Sequence, residues 1–359
     1  MANLPFAVEP HEGGLSRSGS KRRPGMHDVA RLAGVSHQTV SRVLNGNANV
    51  SPRTRALVVA AIEELGYRPN SAARTLVTGR SRTLGLITIA SALYGPMSTL
   101  YGVEAAAREA GYMITVASVG DGEAGALEEA MLNLQKQGVD GIVVVAPLIS
   151  LGDALSSHAA DLPMIAVEGS PSGSLPVISV DQTLGARLAT SHLLELGHRT
   201  VWHVTGPAGW YETQQRISGW CDTLTAAEVD LPPLLRGDWT AQSGYEAGQI
   251  LGRMPDATAV FVANDQMALG LLRALHEHGR TVPDDISVVG FDDMPEAANF
   301  IPPLTTVRQP FSDVGRRSLE ALLALIKSGT GSEERIVITP ELVVRRSTSR
   351  LALRRAVQA

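Results

Sequence analysis

Residues 34–47 read GVSHQTVSRVLNGN. At 3.6 residues per turn, Val40, Val43 and Leu44 share one helical face, while Gln38, Ser41, Arg42 and Asn45 gather on the other with His37 at its flank. Ser36 is placed to cap the helix by accepting from the free N–H groups of its first turn. So short a helix is marginal by itself, and its polar face suits either plain solvent or a partner. The neighbouring residues decide between the two.

On the N-terminal side, MHDVARLA (26–33) sets Val29, Leu32 and Ala33 at helical spacing, and Gly34-Val35-Ser36 follows as a tight turn. Two short helices joined by a three-residue turn containing Gly make a helix-turn-helix. A third helix is punctuated clearly: Ser51 caps it, Pro52 takes the first helical position, Val58, Ala61, Ile62 and Leu65 form the apolar stripe, and Gly66 stops it. Three small helices bury one shared face and leave the polar face of the second uncovered. Its residues match base edges in a major groove, where Arg reads guanine bidentately, Gln reads adenine and Ser or Thr take several partners. Next, YRPNSAARTLVTG (67–79) offers Asn70 as a cap and Ser71–Thr78 as two helical turns, too short to hold unless DNA and a second copy hold them.

The rest of the chain sets the frame. Its 359 residues suggest two or three domains, and 44% hydrophobic residues suffice for a sizeable core. One cysteine, Cys221, excludes an internal disulfide and fits a reducing compartment. No apolar run approaches the ~20 residues of a membrane span. The first 24 residues read as a flexible, partly basic tail without the apolar segment of a secretory signal. A cytoplasmic protein with no membrane partner is expected. Net charge is −5, yet residues 1–80 carry 11 Lys+Arg against 5 Asp+Glu, and the remainder 20 against 31. A basic head on an acidic body points the head toward a polyanion.

From Ser81 onward, β-rich apolar runs alternate with amphipathic helices. The runs include TLGLITIA (83–90), YMITVAS (112–118), GIVVVAP (141–147), PMIAVE (163–168), TVWHVTG (200–206), TAVFVAN (258–264) and ISVVGFD (286–292). The pattern predicts parallel sheets with helices on both faces, whose ligands bind beyond the carboxyl ends of the strands. Glu168, Asn264 and Asp292 close three of these runs, Arg216 lies on the helix after TVWHVTG, and Trp239 follows Gly237-Asp238. Carboxylate, amide and guanidinium groups bond sugar hydroxyls in the ring plane while an indole covers the apolar C–H face. Each residue also has an ordinary role open to it: Asn264 and Asp265 as caps, Trp239 in the core, Arg216 as a surface charge.

Residues 28–74, DVARLAGVSHQTVSRVLNGNANVSPRTRALVVAAIEELGYRPNSAAR, resemble the head of the lactose-repressor (LacI/GalR) family of bacterial transcription regulators. VANDQMALG, DISVVGFDD and IPPLTTVRQPF resemble segments of the family's body, with GDWTAQSGY and SALYGPMSTL as looser matches. The resemblance implies an α/β protein: a three-helix helix-turn-helix domain plus hinge helix, then a core of two periplasmic-binding-protein-like subdomains joined by three crossovers. The expected layout is a tail at 1–24, DNA-binding domain at 25–69, hinge at 70–80, core at 81–346 and a short tail at 347–359. One subdomain takes about 81–180 and 311–338, the other about 181–308 and 339–346. The resemblance further implies that His37, Gln38 and Arg42 read operator bases, with Ser41 on the same DNA face. It implies that Ser36, Thr39, Asn45 and Thr54 hold phosphates, and that the hinge, with Asn70 and Ala73, wedges Leu76 into the minor groove. In the cleft it implies an effector held by Arg216, Trp239, Asn264, Asp292 and Gln309, with Leu93, Gly95, Pro96 and Phe311 on the apolar side.

Three departures from the lactose-type pattern stand out. Glu168 replaces Asp, Glu212 replaces Ser and adds a carboxylate near the cleft, and Val180 takes an aromatic's place. His37 also stands where that pattern has an aromatic residue. A β-galactoside or other β-linked sugar is therefore the favoured effector. A repressor released by its sugar is expected, and a regulator that needs a corepressor to bind DNA stays open. Pairing through the body would set two heads on a pseudo-palindromic operator. The dozen residues after the last strand are too few for a tetramerising coiled coil, so a homodimer is expected. No catalytic residue, metal site or cofactor is assigned. Asp292-Asp293 reads as one ligand and one cap because neighbours at a strand end point in different directions. His276 and His278, two apart, fall on different helical faces.

Overall fold

The structure, a computed structural model, describes residues 24–44, 49–67, 79–89, 91–120, 124–145, 148–149, 162–169, 175–328 and 335–351. The chain divides into two compact units at residue 80.

In the first unit, α1 (Met26–Leu32), α2 (His37–Leu44) and α3 (Pro52–Leu65) enclose a small core of Val29, Val40, Val43, Val58 and Ala61, closed by Tyr67. Sequence punctuation explains the boundaries. Ser51 Oγ accepts from Thr54 N at 3.2 Å, Pro52 starts α3, and Gly66 ends it in the left-handed region at φ 59°. Gly34, at φ 65°, makes the turn between α1 and α2.

The second unit contains two six-stranded sheets. The first has the order β11 (Arg335–Ile338), β5 (Val177–Val180), β4 (Met164–Val167), β3 (Ile142–Val145), β1 (Thr83–Ile89), β2 (Met113–Val119), parallel throughout. The second has the order β12 (Glu341–Val343), β10 (Thr305–Arg308), β9 (Ser287–Asp292), β8 (Ala259–Val262), β6 (Trp202–Thr205), β7 (Leu235–Arg236) and is parallel except for β12. The chain passes between sheets three times: after β5, after β10 and after β11. Apolar clusters cover both faces of each sheet, which is why the central strands are continuous apolar runs rather than alternating ones.

Five strands were not singled out from sequence: β5, β7, β10, β11 and β12. Each is only two to four residues long. Among the described residues, no helix is long and apolar enough to cross a membrane.

Candidate functional site

Two surfaces carry the expected site residues, and each belongs to one unit. On the head, Ser36, His37, Gln38 and Arg42 are exposed, and Thr39, Ser41 and Thr54 are half-buried. Ser36 Oγ accepts from Thr39 N at 3.1 Å and shares a 2.9 Å hydrogen bond with Thr39 Oγ1. Thr54 Oγ1 is bonded in the same way to Ser51 Oγ at 2.8 Å. The His37 ring stacks on His27, centroids 4.6 Å apart and planes at 22°. Val40, Val43 and Leu44 pack into the core of the head, and none of the polar residues of α2 belongs to that core. Asn45, Asn70, Ala73 and Leu76, and the hinge up to residue 78, lie outside the described residues.

In the body, Leu93, Gly95, Pro96, Glu168, Glu212, Arg216, Trp239, Asn264, Asp292, Gln309 and Phe311 line one cavity that opens to solvent. Tyr94, Thr99, Val145, Trp210 and Val314 complete the lining beyond the residues expected from sequence. Trp210 had a usable signal, since it follows the carboxyl end of TVWHVTG by a few residues. Tyr94 sits between two residues that were named. Val180, whose position was noted for its lost aromatic, is also in the wall.

The strand ends explain the convergence. Glu168 follows β4, Arg216 and Glu212 project from the Tyr211–Ala226 helix after β6, Trp239 follows β7, Asn264 follows β8, Asp292 ends β9 and Gln309 follows β10. Glu168, Trp239 and Asp292 take positive φ (56°, 74° and 109°), conformations that non-glycine residues adopt at a cost. Three such residues on one cleft mark it as a place where geometry has been kept against local preference.

A chain of side-chain hydrogen bonds links the two sheets. Glu168 Oε1 accepts from Val180 N at 2.7 Å and from Gln182 Nε2 at 3.3 Å; the same Nε2 donates to Gln309 Oε1 at 2.8 Å, and Gln309 Nε2 donates to Asp292 Oδ1 at 2.6 Å. Arg216 Nε donates to Gln182 Oε1 at 2.9 Å and its Nη1 to the Ala263 carbonyl, while the guanidinium lies 3.8 Å over the Phe291 ring. Gln182 and Gln309 both sit beside crossovers, so the cavity wall and the connections between lobes are one network.

Asn264 does two jobs. Its Oδ1 caps the following helix by accepting from Met267 N at 2.8 Å, and its Nδ2 donates to the Trp239 carbonyl at 3.1 Å, holding the indole's loop. Trp239 packs in the core of the second sheet and faces the cleft as well, with Trp210 edge-on at 5.5 Å. Gly206 permits this, because a Cβ there would collide with the Trp239 ring. The ordinary roles weighed for Asn264 and Trp239 therefore coexist with a place in the wall.

Burial governs the charges. It pushes the Glu168 carboxyl up to about 7 against the hydrogen bonds from Val180 and Gln182, and Asp292 up to about 6 against the Arg216 charge. Glu212 is raised well above the usual range by burial and then by the charge of Glu168. Burial lowers Arg216 from its ordinary value, and the carboxyls of Asp292, Glu212 and Glu168 oppose that shift. Two buried polar atoms of the lining, Glu212 Oε2 and Trp239 Nε1, have no hydrogen-bonding partner among the described residues.

Asp293 corrects one expectation. It is not a cap; it accepts from Arg308 Nε at 2.7 Å and from Arg345 Nη2 at 2.6 Å. The strand end does turn the two aspartates apart, but two guanidiniums claim the second. Among the described residues, no three His, Cys, Asp or Glu side chains come together as a metal site.

Comparison with known proteins agrees over both units. Residues 25–70 match the model of bacterial regulatory proteins, lacI family, and residues 190–348 match a periplasmic binding protein-like domain. The lactose operon repressor of Escherichia coli (strain K12) is 36% identical over 326 residues, 90% of each chain. The crystal structure of the Lac repressor dimer bound to operator and the anti-inducer ONPF superposes with a TM-score of 0.83 at 34% identity, covering 91% of this chain and all of that one. A complex of the transcriptional regulator CelR with cellobiose gives 0.68 at 35% identity, covering 90% and all.

Proposed function

This chain belongs to the lacI family of bacterial regulatory proteins, and we propose that it is a repressor of sugar-utilisation genes, released from its operator when a β-linked glycoside fills the cleft. The family supplies transcription regulation through a DNA-binding head. The observation that carries the effector reading is the cleft itself. Acceptors (Glu168, Glu212, Asp292) and donors (Arg216, Asn264, the Trp239 indole) surround a cavity whose other walls are Trp210, Tyr94, Pro96 and Phe311. Hydroxyls need such mixed donors and acceptors, and the C–H face of a pyranose needs flat apolar surface. Relatives that meet operator DNA and cellobiose support both halves of the reading.

The mechanism follows from the cross-lobe network. A sugar bonding Glu168, Arg216 and Asp292 competes for the groups that Gln182 and Gln309 now hold, and both glutamines sit on connections between the lobes. The lobes then settle into a second arrangement that disfavours the paired heads on their half-sites. Operator contact is assigned to His37, Gln38, Ser41 and Arg42 at bases and to Ser36, Thr39, Asn45 and Thr54 at phosphates. Asn70, Ala73 and Leu76 act through the hinge. The active form is a homodimer on a pseudo-palindromic site.

Titrating methyl β-galactoside, lactose and cellobiose into the protein bound to operator fragments selected from random DNA tests this. Release with saturation of one sugar is expected. If a sugar instead tightens the complex, the regulator works by corepression; if none alters it, the cleft has been misread.

A further inference from the structure

Three carboxyls meet one guanidinium in the cleft: Glu168, Glu212 and Asp292 against Arg216. Among the described residues Arg216 forms no salt bridge with any of them, because its Nε and Nη1 serve Gln182 and the Ala263 carbonyl. The lining therefore has more negative than positive ends. Glu212 is the extreme case. Only 9% exposed, it projects from the first turn of its helix, where the free backbone N–H groups favour an anion, yet its Oε2 has no partner among the described residues. Beside it stands Trp210, whose indole meets Trp239 edge-on at 68°. In a chain with only 4% aromatic residues, Tyr94, Trp210, Trp239 and Phe311 all line this one cavity. Carboxylates and aromatic rings lining one cavity supply the chemistry that selects ammonium groups, through charge-assisted hydrogen bonds and attraction to the ring faces.

Resting on the carbohydrate reading above, we propose that the effector is a cationic amino sugar and that Glu212 is the residue that selects its ammonium group. A neutral hydroxyl at that place leaves Glu212 to hold its own proton, since burial and the neighbouring Glu168 charge disfavour the anion. An ammonium supplies the missing cation, so the carboxyl ionises and its proton leaves to solvent. An anionic effector, such as a sugar phosphate or sugar acid, finds Arg216 as the one opposite charge of the described lining, and that guanidinium is already engaged.

The test is calorimetry on the full chain with methyl β-glucoside and methyl β-galactoside, and with each sugar carrying an amine in place of the hydroxyl at C2, C3, C4 or C6 in turn. At about pH 6 these amines are cationic. One amine is expected to bind roughly ten-fold tighter than its hydroxyl parent. In Glu212→Gln, of nearly equal volume, that preference should shrink to about two-fold or less. Repeating the titration in two buffers of different ionisation enthalpy should show a proton released on amine binding to the native chain and not to Glu212→Gln. If the parents bind and no amine binds better, or if the preference survives Glu212→Gln, the amine proposal is overturned while the sugar reading stands. If no glycoside binds at all, both fall.

Discussion

In the head, the side chains proposed to meet DNA stand in solvent: His37, Gln38 and Arg42 are exposed, and none of them belongs to the core of the three helices. In the body they are buried: Arg216 is 4% exposed, Asp292 7% and Gln309 7%, and each is already bonded to another. The difference lies in when desolvation is met. The head loses its water only on contact with DNA, so its recognition residues are nearly independent of folding. The cleft lost its water when the chain folded, and the raised carboxyls record that cost. Changes in the head should therefore alter affinity and leave stability alone, whereas changes in the cleft should alter response, stability and pH dependence together.

The harshest way to break that contrast is Asp292→Ala. It removes a proposed effector contact and the Gln309 partner at once, while the proposed operator surface is untouched. Effector release of the operator, which typically corresponds to about 1–3 kcal/mol or 5- to 150-fold per ligand, should vanish, and operator affinity without sugar should persist. Fluorescence anisotropy of labelled operator, with and without the tightest glycoside, reads both quantities. A folded Asp292→Ala protein that no longer binds DNA would show that the cleft is not a separate module.

Arg42→Ala is the counterpart in the head. Loss of a bidentate base contact should weaken the selected operator by about 1–3 kcal/mol, roughly five- to 150-fold, and relax preference at one base pair. Because Arg42 is exposed, the melting temperature should stay put. A melting temperature that falls with the affinity would place the guanidinium in the fold's own support rather than on its partner.

The same contrast explains what was legible in the sequence. The head was readable almost residue by residue, because local signals suffice there: Ser51, Pro52 and Gly66 bound a helix, and Val40, Val43 and Leu44 leave the remaining face of α2 bare. In the body, strand ends named Glu168, Asn264 and Asp292, since the ligand rule for parallel sheets is itself local. Gln182 was invisible, because a glutamine at the start of a helix has no pattern that points to Glu168 on one sheet and Gln309 on a crossover. Tyr94 escaped for a similar reason: an aromatic at the start of a helix becomes a wall only when a second lobe faces it. The pairing of Asp293 with Arg308 and Arg345 spans 15 and 52 residues, beyond the reach of spacing arguments.

A gentler probe sharpens the contrast through pH. Folding raises Glu168 to about 7 and Asp292 to about 6, so the native chain keeps protons that the unfolded chain gives up from about pH 4. Where the native state binds more protons, stability falls as pH rises. The penalty is absent below about pH 4 and complete above about pH 7. Other groups add their own slopes, so the informative quantity is the difference between the native chain and Asp292→Asn. That variant should lose the slope between about pH 4 and pH 6, a change of the order of 1–3 kcal/mol. Thermal melting of the ligand-free protein across this range reads it, and identical pH profiles for the two proteins would mean that Asp292 is hydrated rather than buried.

The smallest effect compares two helix caps that do the same local work in different settings. Ser51 Oγ accepts from Thr54 N at 3.2 Å and Asn264 Oδ1 from Met267 N at 2.8 Å. Ser51 caps from an exposed position, so Ser51→Ala should cost the head about 1 kcal/mol and nothing else. Asn264 is buried and also holds the Trp239 carbonyl, so Asn264→Ala should cost more than the cap alone and weaken sugar binding with it. Hydrogen exchange of the first amides of each helix separates the terms, because it follows the local opening of each helix by itself. Equal costs for the two substitutions would mean that the second bond of Asn264 stabilises nothing, and the Trp239 wall would then need another support.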